Sequence, residues 1–231
     1  MEIKRFRACT ARCSYIGLDR PDIQYGVEEV AKAMSAPRMS DQLRLKRLAK
    51  YIDAYPVADT MYYWGMQIDR IIGYSDSDWA GDPRTRKSTS GGCLIMNGSV
   101  VKSWSRTQRT IALSSGEAEL YAAIKVAQEI LGIQSLAKDL GMRISGTLAI
   151  DAKATMGMIS RRGLGQLRHI EVHNLWLQQI VNDKRIAIVK VWSHQNLADI
   201  LTKYVTPDLL AKHLGAMSMQ RYRNWAQTKQ H

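Results

Sequence analysis

Between residues 70 and 205 the apolar positions switch repeatedly between strand and helix spacing, and this restricts the chain to few folds. RIIGYSDSDW (70–79) and the two runs of GGCLIMNGSVVKSWS (91–105) are β-rich, and the latter two flank Asn97-Gly98, the pair that a type I′ hairpin turn prefers. SSGEAELYAAIKVAQEILGIQSLAKDLG (114–141) then carries helical spacing, with Ser114 and Glu117 as a capping box and Gly141 as a stop. A strand SGTLAID (145–151), a short helix KATMGMISRR (153–162), a helix RHIEVHNLWLQQIVND (168–183), a strand RIAIVKVW (185–192) and a closing helix NLADILTKYV (196–205) follow. Three strands in a row suit an antiparallel meander, and strands alternating with helices suit parallel pairing through right-handed crossovers. The expectation is an α/β fold: a mixed sheet flanked by helices.

Upstream, two helices are expected to precede this unit. DRPDIQYGVEEVAKAMSA (19–36) repeats Ile23, Val27, Val30, Ala31 and Met34 at helical spacing, with Pro21 suited to a first turn. MSDQLRLKRLAKYIDAYP (39–56) has Ser40 or Asp41 as cap, an apolar stripe at Leu45, Leu48 and Ile52, and Pro56 at its end. MYYWGM (61–66) reads as a strand and DLLAKHLGAM (208–217) as a further helix. The division is then a helical segment over 1–60, an α/β domain over 61–205 and a helical tail over 206–231.

Four acids mark segment edges in this arrangement: Asp76 and Asp151 at strand ends, Glu119 in the first turns of the long helix, and Asp199 at the start of the last one. Ligand sites in α/β sheets collect at the carboxyl ends of strands, so all four can converge on one rim. Each has a plainer reading: Asp76 and Asp78 as turn residues, Glu119 as a solvated helix residue, Asp199 as a residue suited to a helix dipole. Clustered carboxylates repel one another unless divalent metal fills the site, and magnesium, an oxygen-seeking ion, suits them. Two such ions can activate water and stabilise the leaving oxygen in phosphodiester hydrolysis. Neither a nucleophile-elbow serine nor a Walker-type glycine loop competes with this.

The formal net charge of +12 and a pI near 9.7 point to a polyanionic partner. Arg84, Arg86, Lys87, Lys102, Arg106 and Arg109 fall in the loops and hairpin that would flank the acids, where they suit phosphate contacts. Of the interleaved Trp79 and Trp104, Trp79 is expected in the core. Three cysteines, an odd number, make no disulfide framework, and the C-x-x-x-C pair Cys9/Cys13 has no second pair with which to hold zinc. MEIKRFRACTARC has no hydrophobic h-region and no apolar run reaches a membrane span, so an intracellular location, cytoplasmic or nuclear, is expected.

The runs GYSDSDWAGDPRTRKSTSGG, SWSRTQRTIALSSGEAEL, RHIEVHNLWLQQIV and NLADILTK resemble the ribonuclease H domain of copia-type LTR retrotransposon Pol polyproteins, over roughly residues 70–205. RPDIQYGVEEVAKAMSAPRMSDQLRLKRLAKYI resembles the segment that joins reverse transcriptase to that domain. The resemblance implies a ribonuclease H-like fold with a five-stranded mixed sheet, and hydrolysis of the RNA strand of RNA–DNA hybrids with two magnesium ions, manganese being an alternative. It implies metal ligands at Asp76, Glu119, Asp151 and Asp199, and a reverse transcriptase partner in the polyprotein. His194 matches a mobile histidine of the wider family or is a polar loop residue. His169 and His173 match a helical motif, with a structural or surface role. The chain departs from the family at Ala152, which replaces the amide of C-D-N, and in SGEAEL for S-T-E-A-E-Y. A catalytically inactive remnant that binds nucleic acid is therefore the alternative. A DNA-directed nuclease on the same fold is disfavoured by the acid order. No Y-x-D-D motif is present, so DNA polymerisation is not expected of this chain.

Overall fold

The computed structural model describes residues 2–65, 67–161 and 176–223. Strands β1 (Val57–Thr60), β2 (Arg70–Asp78), β3 (Thr89–Met96), β4 (Ser99–Thr107), β5 (Ser145–Ile150), β6 (Ile186–Lys190) and β7 (Met219–Tyr222) are accompanied by helices α1 (Ile3–Ile16), α2 (Pro21–Ala31), α3 (Met39–Ala54), α4 (Ser115–Asp139), α5 (Lys153–Ser160), α6 (Trp176–Asn182) and α7 (Pro207–Ala216). The main sheet has five strands in the order β4-β3-β2-β5-β6. The β2–β3 and β3–β4 pairs are antiparallel, and the β2–β5 and β5–β6 pairs are parallel. This is the mixed sheet of a ribonuclease H-like fold, as expected. At the hairpin between β3 and β4, Asn97 and Gly98 take φ of 50° and 80°, the left-handed pair a type I′ turn requires.

The long helix α4 lies across one face because its small and branched residues fit there. Ala123, Val126, Ala127 and Ile130 pack with Ile71, Leu94, Leu148, Ile150, Leu177 and Ile186. The approach is close enough that β2 needs a glycine beneath it: a Cβ at Gly73 would lie 2.4 Å from Val126 Cγ1. On the opposite face Cys93, Ile95 and Val100 meet Leu197, Ile200 and Leu201 of a 3-10 segment, with Leu214, Met217 and Met219 beyond. A third cluster joins Phe6, Ile23, Val27, Val30, Leu45 and Leu48 of α1–α3.

The seam between α2 and the sheet is polar. Gln24, Glu28 and Lys32, one helical turn apart, each reach it. Gln24 Nε2 donates to Ser103 O (3.3 Å), Glu28 Oε1 accepts from Thr107 N (2.8 Å) and Oγ1 (2.7 Å), and Lys32 Nζ donates to Thr89 Oγ1 (2.9 Å).

Several local expectations are corrected. Residues 61–65 of MYYWGM do not form the strand. β1 lies just before it and pairs with β7 outside the main sheet, while residues 61–65 run as a loop with Gly65 at φ 80° and Trp64 fully exposed. Helix α1 was not anticipated, because only Phe6, Thr10 and Cys13 mark its buried face. Helix α3 is capped at Arg38 rather than Ser40 or Asp41. Asp41 instead reaches back, its Oδ2 accepting from Arg38 N at 2.9 Å.

The helix expected in NLADILTKYV is a 3-10 segment, Leu197–Leu201, with all five residues buried. Asn196 pins it, donating from Nδ2 to Ser75 O (2.9 Å) and accepting from Ala198 N (3.2 Å). Asn196→Ala orphans both buried groups and is expected to cost about 1–3 kcal/mol of stability, measured by urea unfolding. The region after residue 206 holds β7 as well as α7. Residues 168–175 of the expected RHIEVHNLWLQQIVND helix, with His169 and His173, lie outside the described residues.

Candidate metal centre

The carboxyl ends of β2 and β5 lie side by side. Tyr74 is in register with Ala149, so Asp76 and Asp151, each two residues further on, stand on adjacent strands at one rim. Glu119, in the second turn of α4, faces them. One carboxylate oxygen from each of Asp76, Glu119 and Asp151 lies within 4.8 Å of the others. Asp199, on the 3-10 segment across from them, stands outside that trio but reaches it through Lys203. The Lys203 ammonium is 3.0 Å from Asp199 Oδ2 and 3.9 Å from Asp76 Oδ2. Thr202 donates its hydroxyl to Asp76 Oδ2. Lys203 was not singled out from the sequence, although it stands four residues after Asp199, a spacing that pairs side chains.

Neighbouring acids are engaged elsewhere. Glu117 accepts from Leu113 N (2.8 Å) and from the Tyr121 hydroxyl (2.8 Å), as a helix-capping residue does. Asp78 accepts from Thr89 N across the β2–β3 pair. By contrast Glu119 Oε2 and Asp199 Oδ1 are buried with no hydrogen-bond partner among the described residues.

Such crowding raises proton affinity. Asp76, 5% exposed, is pushed up to about 7, first by burial and then by Asp199 and Asp151, against the pull of Lys203 and Thr202. Burial, then Asp76 and Asp151, push Glu119 up to about 8. Burial and Asp151 raise Asp199 against Lys203. Burial works against the Lys203 ammonium, but Asp76 and Asp199 more than offset it. Buried carboxylate oxygens without donors, their mutual repulsion relieved in part by protonation, are a donor set that fits a hard divalent cation.

A pH dependence follows. Between the ordinary carboxylate range near 4 and the folded values of about 7 and 8, the folded state binds protons that the unfolded state has released, so stability falls as pH rises. In chelator, the melting temperature is expected to drop from pH 5 to pH 8. Magnesium or manganese should restore it at pH 8. A flat profile in chelator would contradict the crowding.

The basic residues divide. Arg84 is committed to buried Asp41 (2.8 and 3.0 Å), tying the loop after β2 to α3, and Lys102 pairs with Glu129 at 2.5 Å. Arg86, Arg106 and Arg109 are exposed and Lys87 is half-buried. His194 is exposed on a 3-10 turn (Ser193–Gln195). The core position expected for Trp79 is corrected. Trp104 is buried against Gly92, whereas Trp79 is 54% exposed with its indole N–H donating to Ala112 O at 3.1 Å. No helix among the described residues is long and apolar enough to cross a membrane.

No family model matches the chain. It is 28% identical over 189 residues to the retrovirus-related Pol polyprotein from transposon TNT 1-94 of Nicotiana tabacum, a match covering 80% of this chain and 14% of that protein. The chain thus spans about a seventh of the length of this relative. It is also 38% identical over 115 residues to secreted RxLR effector protein 161 of Plasmopara viticola, covering 48% of this chain and 77% of that one. Among solved structures, the N-terminal RNase H domain of a Mycobacterium tuberculosis protein aligns at 16% identity and a TM-score of 0.39, covering 65% of this chain and 99% of that one. At that TM-score the likeness carries no weight, and the fold rests on strand order and register.

Proposed function

We propose, for a chain whose homologues include the retrovirus-related Pol polyproteins of plant transposons, that it hydrolyses the RNA strand of RNA–DNA hybrids in dependence on magnesium. The observation that carries this is the trio Asp76, Glu119 and Asp151, its ligand oxygens within 4.8 Å on the strand-end rim of a ribonuclease H-like sheet. These three residues would hold the cation, with Asp199 available as a further carboxylate ligand. Bound there, divalent metal would supply an ionised water and charge stabilisation for the leaving oxygen.

The remaining work falls to the chain itself. Thr202 and the peptide N–H of Ser77, which donates to Glu119 Oε1 at 3.2 Å, orient the carboxylates. Asn196 fixes the 3-10 segment that carries Asp199. The exposed Arg86, Arg106 and Arg109 suit backbone phosphates, which position a duplex without reading sequence. His194, exposed five residues before Asp199, is free to approach a substrate. A reverse transcriptase segment of the same polyprotein would be the natural partner.

The test is cleavage of end-labelled RNA–DNA hybrid, duplex RNA and duplex DNA with magnesium, manganese or chelator. Cutting of the RNA strand of the hybrid alone, and only with metal, is expected. A folded protein that binds hybrid and gains stability from neither metal would leave the second reading, an inactive remnant that binds nucleic acid. One observation favours that reading: Ala152 follows Asp151 where the resembled family carries an amide.

A further inference from the structure

Beside the metal centre, between α2, α3 and the segment that follows Asp199, lies a cavity of about 730 Å³. This is within the range of small-ligand sites, about 300–1,000 Å³. Its chemistry is aromatic and cationic. Tyr204 is 68% exposed, and its ring meets Tyr25 edge-on with centroids 4.9 Å apart. Arg44 and Arg47 of α3 line the same space. Arg47 has no ion pair or hydrogen bond among the described residues. Arg44 has only long contacts, 3.4 Å to Asp41 and 3.9 Å to Glu29. The carboxylate in the wall, Asp22, is already satisfied by Arg20 (2.7 Å) and the Tyr51 hydroxyl (2.9 Å), so the surplus charge is positive.

Position adds direction. Lys203 touches both the carboxylates and this cavity, and Tyr204 is the next residue. A strand leaving the metal centre past Lys203 therefore meets the exposed Tyr204 face, with two guanidinium groups alongside.

We infer that this cavity binds an unpaired nucleotide, its base stacked on Tyr204 and its phosphate on Arg44 and Arg47. The inference rests on the nucleic-acid reading above and extends it to single-stranded nucleic acid next to the hybrid. Aromatic faces and a cationic groove are the combination that holds single strands without reading their sequence. The shared chemistry is a nucleoside phosphate, which a strand or a free nucleotide can supply.

The test is fluorescence anisotropy of the whole chain with fluorescein-labelled hexathymidylate and hexaadenylate, and with a blunt RNA–DNA hybrid. Tyr204→Leu removes the ring without changing charge and should weaken single-strand binding about tenfold. Arg47→Gln should do the same, and Tyr204→Phe should bind as wild type. None of the three should alter hybrid affinity by more than about twofold, since the exposed ring and guanidinium lie off the metal centre. Displacement of the hexamers by millimolar adenosine monophosphate would assign the site to free nucleotide as well as strand, and no displacement to strand alone. Single-strand binding unchanged in Tyr204→Leu, or lost equally in Tyr204→Phe, overturns the inference. Wild type that binds hybrid but neither hexamer overturns the cavity site alone. Wild type that binds no nucleic acid overturns the functional reading beneath it.

Discussion

Asp76→Asn is expected to lower metal-dependent hydrolysis of the hybrid by at least about a thousandfold, while raising the melting temperature of the metal-free protein at pH 8. The two effects share one cause. Asp76 is buried beside Glu119, Asp151 and Asp199, so its charge is costly to sustain without a cation. Asparagine keeps a carbonyl oxygen to accept the Thr202 hydroxyl and removes the charge that Asp199 and Asp151 oppose. It also removes one of the three carboxylates proposed to hold the cation. Activity and stability measured on one preparation decide the matter. Loss of activity with a lower melting temperature would mean that Asp76 is structural. Unchanged activity would remove it from the site.

Gly91→Val is expected to destabilise the protein by roughly 3 kcal/mol and to disable the site in whatever remains folded. Gly91 is the partner of Asp76 in the β2–β3 register. The 3-10 segment presses directly onto it: a Cβ would lie 2.8 Å from Leu201 Cβ, 2.8 Å from Thr202 Cγ2 and 3.0 Å from the Ala198 carbonyl oxygen. All three are buried and two belong to an element with little freedom to shift. Making room means moving the segment, and with it Asp199, Thr202 and Lys203. Urea unfolding gives the first effect, and calorimetric manganese titration the second. A variant as stable as wild type would show that the segment yields.

How legible all this was in the sequence depended on how each residue earns its place. Asp76 and Asp151 stand where β-rich runs stop, and the period-two pattern carries that information locally. Glu117 stood apart as the capping-box partner of Ser114, and resemblance pointed to Glu119. The structure adds that Glu117 spends its carboxylate on the helix start. The main sheet was legible because its turn residues and apolar runs are long. β1 and β7 were not: each has four residues, and they pair with each other across most of the chain's length. α1 was hidden because a polar helix with three buried residues leaves almost no periodic signal. The 3-10 segment was misread as a helix because its apolar content is right for one, while Asn196 and the close approach to Gly91, both tertiary effects, set its winding.

The polar seam of Gln24, Glu28 and Lys32 has a calorimetric consequence. A junction closed by oil is recognised on opening by the heat capacity of wetted hydrocarbon. This one, closed by hydrogen bonds along a single helix stripe, would wet little hydrocarbon if α2 lifted from the sheet. Separation there would be almost silent in heat capacity yet visible in amide exchange at Thr107. It also tolerates no slippage, since each of the three side chains has its own partner on the strands and a shift of one turn would mismatch every one. The α1–α3 segment is thus indexed to the sheet like a key to its wards.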